Sequence, residues 1–456
     1  MASLTPLFNE FDSVSSKLWK QKIQFELDGA DYNEAMIWNS PEDIKVKPFY
    51  HRDEMGVKYP VKTNASQFSI CQNIFVYDVD KSIERALDSL KRGAESLRFT
   101  IENEAIDFNK LLNSLPLDGL IIYFNFSFLS LKVIQKIESI VQNKRATLYY
   151  NLDPIGQLAK DGNWFSTPGK TNFDSLISIS NTLSQNSYLS VNMSLYQNAG
   201  ANIVQQLAYG LGQVNEYFNR IPSIDSKILF EISVGSNYFF EIAKLRAFRI
   251  LFQALAKEYN HKQDCHLLVT PSKRNKTIYG YNVNMLRTTT ECMSAILGGS
   301  DSIANLAFDS IYHKDNEFGD RIARNQLLIL KEESHFDKVN NPADGSYYIE
   351  SITQQLADKA LVLFKEMETK GGFLKLLNEG VIRNKIQISA DKEQQLFDSK
   401  VSPLIGTNKH ASREDVMKTE LELFPFVKIK PRKTLITPII EKRLADQLDQ
   451  DRLAAE

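Results

Sequence analysis

The 456-residue sequence predicts an α/β protein whose elements close into a (β/α)8 barrel. Three observations carry this. Short β-branched or aromatic runs of strand length recur from about residue 80, longer segments of helical period separate them, and the alternation repeats eight times. The strand-like runs are 96–101 (SLRFTI), 119–124 (GLIIYF), 146–152 (ATLYYNL), 187–193 (SYLSVNM), 228–234 (ILFEISV), 266–271 (HLLVTP), 302–308 (SIANLAF) and 327–333 (LLILKEE). Eight strands each followed by a helix close into a barrel more naturally than into a doubly wound open sheet, the competing arrangement.

Residues 1–60 precede this pattern. They hold short amphipathic helix signals over 7–27 and then extended sequence punctuated by Pro41, Pro48 and Pro60. Local periodicity is too weak for independent folding, so an arm that wraps over something else is expected. Between 146–152 and 187–193 the connection reads as two short pieces, around 157–160 and 173–180, rather than one helix. Segments 199–218 and 237–259 space their apolar residues for long helices. A long helix is predicted over 347–372, stopped by Gly371-Gly372, with further helices to about residue 419. Residues 422–438 look like a basic, extended linker containing Pro425, Pro431 and Pro438, and the last stretch is a polar helix. The resulting division is an arm (1–60), a barrel plus following helices (61–415), and a linker stub with a C-terminal helix (416–456).

Composition narrows the function. Net charge is −2, from 54 basic and 56 acidic side chains, so no basic stripe for nucleic acid is implied. Cys71, Cys265 and Cys292 lack CxxC spacing and suit small buried hydrophobes in a reducing cytoplasm. The N-terminus shows no secretory pattern, and no apolar run approaches the ~18 residues a membrane span needs. A soluble cytoplasmic protein is expected.

Motifs that suggest chemistry fall short of it. Residues 162–171 (GNWFSTPGKT) end like a phosphate loop, yet six residues rather than four separate Gly162 from Gly169. Asp264-Cys265-His266 starts like DxHxxG, a corrinoid-binding signature, but Val269 replaces the glycine and His266 opens a strand. His51, His261, His313, His335 and His410 have no metal-ligand spacing. Glu332 and Glu333 lie near the end of the last predicted strand, where only one could face a barrel interior. Arg321 and Arg324 would join them in a charge cluster at the rim. Asn341-Pro342-Ala343-Asp344-Gly345 is turn chemistry, and Gly298-Gly299 ends a helix.

Residues 286–309 (LRTTTECMSAILGGSDSIANLAFD) and 321–360 (RIARNQLLILKEESHFDKVNNPADGSYYIESITQQLADKA) strongly resemble methylmalonyl-CoA mutases. So do 239–252 (FFEIAKLRAFRILF), 196–211 (YQNAGANIVQQLAYGL) and 47–54 (KPFYHRDE), and the likeness is colinear over 35–412. The resemblance implies a barrel that sheathes an acyl-CoA along its axis. It also implies adenosylcobalamin held at the C-terminal mouth by a separate flavodoxin-like domain, and a radical interconversion of methylmalonyl-CoA and succinyl-CoA.

The chain departs from the active pattern at four places. Active members carry RQYAGF where this sequence has Cys71-Gln72-Asn73, so Asn73 replaces the tyrosine. They carry YHMQEAGA where it has Ser194-Leu195-Tyr196-Gln197, so Leu195 replaces a histidine that hydrogen-bonds the thioester carbonyl. A QTSG-type segment is missing near 279–291, and no DxHxxG-bearing, cobalamin-binding flavodoxin-like domain follows the barrel. The resemblance therefore points to the small, non-catalytic subunit of a heterodimeric mutase. Its large partner would bind acyl-CoA and cobalamin, and this chain would contribute no catalytic, cofactor-binding or metal residue. A barrel that receives cobalamin on another chain, or an acyl-CoA binding protein, are the alternatives. The state of the barrel bore separates them: small lining residues favour a ligand, bulky packed ones exclude it.

Overall fold

A computed structural model describes residues 10–56, 60–166, 171–183, 186–412, 414–428 and 431–456. Its centre is a closed, all-parallel barrel with strands in chain order. These are β1 (Ser69–Phe75), β2 (Ser96–Ile101), β3 (Ile121–Phe126), β4 (Thr147–Leu152), β5 (Ser187–Asn192), β6 (Leu229–Val234), β7 (His266–Pro271) and β8 (Ser302–Ile303). The ring closes where Ser302 and Ile303 pair with Ser69 and Ile70. This is the predicted (β/α)8 architecture, the TIM-barrel fold.

Two strand assignments need correction. β1 had not been recognised, because Ser69, Gln72 and Asn73 dilute the apolar pattern of SICQNIF. Residues 327–333 are not a strand. The helix Glu317–Leu328 runs into a single π turn, Ile329–Glu333. Within LLIL, Leu327 and Leu330 are buried while Ile329 is exposed, a helical spacing that a short apolar run cannot distinguish from a strand. Glu332 and Glu333 are exposed there. Lys331 instead reaches the barrel base, donating to the Phe68 carbonyl (3.0 Å) and pairing with Glu95. The rim cluster does not form: Arg321 lies over the Phe318 ring, and Arg324 donates to Gln72 (2.8 Å). β8 is also shorter than the predicted run.

The helices follow the sequence closely. The β4–β5 connection holds two pieces, Pro154–Asp161 and Asn172–Ser180. Gly169 and Lys170 of the phosphate-loop-like segment lie outside the described residues. Helix Ile203–Arg220 starts in a capping box, Asn202 with Gln205, and Tyr238–Glu258 packs beside it. Helix Tyr347–Thr369 covers both, which buries their outer faces as well as their inner ones. Arg246, 1% exposed, is held in that layer by Asp344 (2.9 Å) and Glu350 (3.0 Å). Gly371 and Gly372, at φ +106° and +88°, end the covering helix in the left half of φ space where side chains are strained. Helices Phe373–Asn378 and Val381–Asp398 follow, and helix stops well short of residue 419 until Asp446–Ala455.

Both ends of the chain touch the barrel. In the arm, Pro41 accepts from Asn202 Nδ2 (3.2 Å), and Glu42 accepts from the Ile203 amide (3.4 Å) at a helix N-terminus. Helix Ser16–Glu26, further out, buries no residue. The segment predicted as a linker over 422–438 does not lead away, and the C-terminal helix begins at Asp446 rather than at 439: residues 431–445 run back along the C-terminal rim. Leu435 bonds Gly162, Ile439 bonds Ala159, Lys442 bonds Asn198 and Leu444 bonds Arg274. This ties together the loops that follow β4, β5 and β7.

Candidate functional site: the barrel bore

Alternation along eight parallel strands sends every second side chain inward. Apolar side chains facing the helices form the main core, and Cys71, Tyr123, Tyr149, Leu229, Leu268 and Ala304 form a separate cluster inside the ring. All six are buried, with Tyr123, Leu229 and Ala304 at 0% exposure. The middle of the bore is thus filled by side chains, two of them tyrosines.

Towards the N-terminal end these tyrosines converge on His266. Tyr123 Oη lies 2.7 Å from His266 Nε2 and 2.7 Å from Ser302 Oγ, while Tyr149 Oη lies 3.0 Å from His266 Nδ1. The Tyr149 ring stacks on the imidazole at 4.3 Å between centroids. Burial pushes the His266 pKa down to about 4, helped by Lys227 and Arg249 and opposed by Asp301. A neutral imidazole offers one donor and one acceptor, which the two phenols match. Burial likewise raises both phenols above the ordinary tyrosine range.

Above this layer, at the C-terminal end, the lining turns polar. Arg98 on β2 pairs with Glu231 on β6 at 2.7 Å, and Asn151 on β4 donates to the same carboxylate. Asn73 on β1 turns its amide toward the Asn305 carbonyl (3.5 Å). Arg98 Nε, Asn151 Oδ1 and Asn192 Oδ1 are buried without a hydrogen-bond partner among the described residues. The pair across the ring cancels its own net charge, while these three atoms keep unused hydrogen-bonding capacity.

The two positions singled out from the sequence are not brought together. Asn73 lines the bore from β1. Leu195 sits on the short helix Ser194–Asn198 after β5, 2% exposed, within the outer core. Strands β1 and β5 stand across the barrel from each other. The Asp264-Cys265-His266 run is dispersed: Asp264 pairs with Lys62 (3.1 Å), Cys265 is buried, and His266 points into the bore. No group of three or more His, Cys, Asp or Glu side chains suited to a metal occurs among the described residues. Sequence reasoning missed Arg98, Tyr123, Tyr149 and Glu231. A signal was available, since each is an aromatic or charged residue at an alternate position of a predicted strand.

The chain is therefore a (β/α)8 barrel protein with a packed bore and a self-paired polar mouth. The family model described as "Methylmalonyl-CoA mutase" matches residues 103–445, and the chain belongs to that family. The methylmalonyl-CoA mutase small subunit of Porphyromonas gingivalis is 31% identical over 99% of this chain and 78% of its own length. The methylmalonyl-CoA mutase of Cereibacter sphaeroides is 36% identical over 50% of this chain, a match spanning 34% of that protein. The mitochondrial methylmalonyl-CoA mutase of Bos taurus is 26% identical over 89% of this chain and 61% of that protein. No helix among the described residues is long and apolar enough to cross a membrane.

Proposed function

We propose that this chain is the small, non-catalytic subunit of a heterodimeric methylmalonyl-CoA mutase, working in the cytoplasm beside a large subunit that performs the isomerisation. The observation that carries the reading is the bore. A pantetheine arm threaded along the axis would have to displace Tyr123 and Tyr149 from a hydrogen-bonded set with His266 and Ser302. That would leave buried polar groups unpaired, at about 1–3 kcal/mol each. The substitutions point the same way. Asn73 lacks the tyrosine ring, and Leu195 has no proton to donate to a thioester oxygen and is sealed in the core.

The residues present also do not fit adenosylcobalamin. His266, the one histidine in a corrinoid-like run, is buried inside the barrel with both ring nitrogens engaged by tyrosine hydroxyls, which leaves neither free to ligate cobalt. The cofactor and the acyl-CoA are accordingly assigned to the partner. Helix Ser16–Glu26 supports a partner, since Leu18, Trp19 and Phe25 are 54, 45 and 81% exposed on it. Three free, buried thiols suit a reducing compartment.

The test is to purify the chain alone and together with its large subunit, and to assay methylmalonyl-CoA isomerisation with added adenosylcobalamin. The isolated chain is expected to be inactive and to form a stable 1:1 complex. Turnover by the isolated chain, or saturable binding of succinyl-CoA to it, overturns the reading.

A further inference from the structure

A cavity lies on the C-terminal side, away from the packed bore. It occupies about 480 Å³ between the loop after β7, the loop after β8 and Glu422 of the C-terminal segment. That falls within the roughly 300–1,000 Å³ range of small-molecule sites. Its walls are four aromatic rings in mutual contact. Tyr281 stacks on Phe308 (6.0 Å between centroids), Tyr312 tilts against Tyr281 (5.5 Å), and Phe318 meets Phe308 edge-on (6.0 Å).

The remaining lining is Asn282, Asp309, His313, Asn316 and Glu422. Asp309, 3% exposed, accepts from Asn316 Nδ2 (2.8 Å) and lies 3.2 Å from His313 Nδ1 through one oxygen. Its other oxygen is buried against Gly319 and has no hydrogen-bond partner among the described residues. Glu422 is exposed at the edge and accepts from the Lys314 amide (2.9 Å). Among the described residues no lysine or arginine lines the cavity. The protein already places a cation on this aromatic set, since the Arg321 guanidinium sits 5.4 Å from the Phe318 ring centre.

We propose that this cavity binds an alkylated ammonium group. The faces of aromatic rings attract cations, most strongly where water is excluded, and carboxylates add to that attraction. The lining favours alkylated nitrogen over a bare ammonium. A bare ammonium would exchange its hydration for few acceptors here, whereas methylated nitrogen presents a soft, apolar cation to the rings. The site is independent of the bore and of the role assigned to the chain above. The head group arrives either on a free small molecule or on a modified lysine side chain, and both present the same chemistry.

Ligand-observed NMR titration of the full chain tests this with choline, with N-acetyl-trimethyllysine amide, and with 3,3-dimethyl-1-butanol, the uncharged isostere of choline. At least one cation is expected to bind about tenfold more tightly than the alcohol, and the tighter of the two identifies the source. Phe318, 52% exposed, can be shortened without opening the core. Phe318→Leu is expected to weaken the cation about fivefold and leave the alcohol nearly unchanged. Glu422→Gln keeps the acceptor for the Lys314 amide and removes only the charge, so about threefold weakening is expected. Equal binding of alcohol and cations, indifference to both substitutions, or no saturation by roughly 10 mM cation overturns the proposal.

Discussion

Replacing His266 with glutamine removes the one titratable imidazole in the bore, and the consequence can be worked out from its surroundings. The ordinary histidine value is 6.5, and burial holds His266 near 4 in the folded chain. Between those two values the unfolded chain binds a proton that the folded chain refuses. Lowering the pH therefore favours unfolding. The contribution is fully present above about pH 6.5, falls as pH drops, and is exhausted below about pH 4, a total of about 3 kcal/mol at 1.36 kcal/mol per unit. By pH 5 about 2 kcal/mol of it has gone. Urea unfolding at pH 7.5 and pH 5.0, followed by circular dichroism, should show the unsubstituted chain losing about 2 kcal/mol more than His266→Gln between the two conditions. The variant is itself less stable at pH 7.5, because glutamine cannot serve both phenols in the same geometry. The test rests on the difference in pH dependence, to which other titrating groups contribute equally in both proteins. Identical pH dependence in the two would refute the enclosed, neutral histidine, and with it the packed bore.

Two more substitutions probe the same architecture. Arg98→Met alone strands Glu231 in the barrel mouth and should destabilise by about 3–5 kcal/mol, whereas Arg98→Met with Glu231→Leu should recover most of that loss in denaturant titrations. Arg443 Nη1 lies 2.6 Å from Asp449, whose side chain has no exposure, and 3.1 Å from the Lys276 carbonyl. Arg443→Ala should therefore loosen the C-terminal segment at a cost of about 3 kcal/mol, read as a lower melting temperature and faster limited proteolysis within 431–438.

The outer helices were legible because their signals are local. Gln205 three residues after Asn202 makes the capping box that opens Ile203–Arg220, and Gly371-Gly372 ends the long helix. The barrel strands were legible only where both faces are apolar enough to form a run. β1 is not legible as a run because Ser69, Gln72 and Asn73 interrupt its apolar residues, and 327–333 reads as a strand because four apolar residues in a row fit a strand and a buried helix turn equally well. The proposed losses at Asn73 and Leu195 rest on the resemblance to the family's motif, since nothing in an isolated asparagine or leucine marks a missing catalytic group.

By itself the sequence determined the alternation of elements and the family, because periodicity and motif spacing are properties of the chain; the eight predicted strands match the eight observed in number only because 327–333 stands in for β1. Only the tertiary structure decided what fills the bore. Tyr123, Tyr149 and His266 are separated by up to 143 residues along the chain and meet only because the ring closes. Tertiary structure also decided the course of 431–445. That stretch lacks local periodicity, and it is held against the rim by backbone groups of Ala159, Gly162, Asn198 and Arg274, which no local pattern encodes.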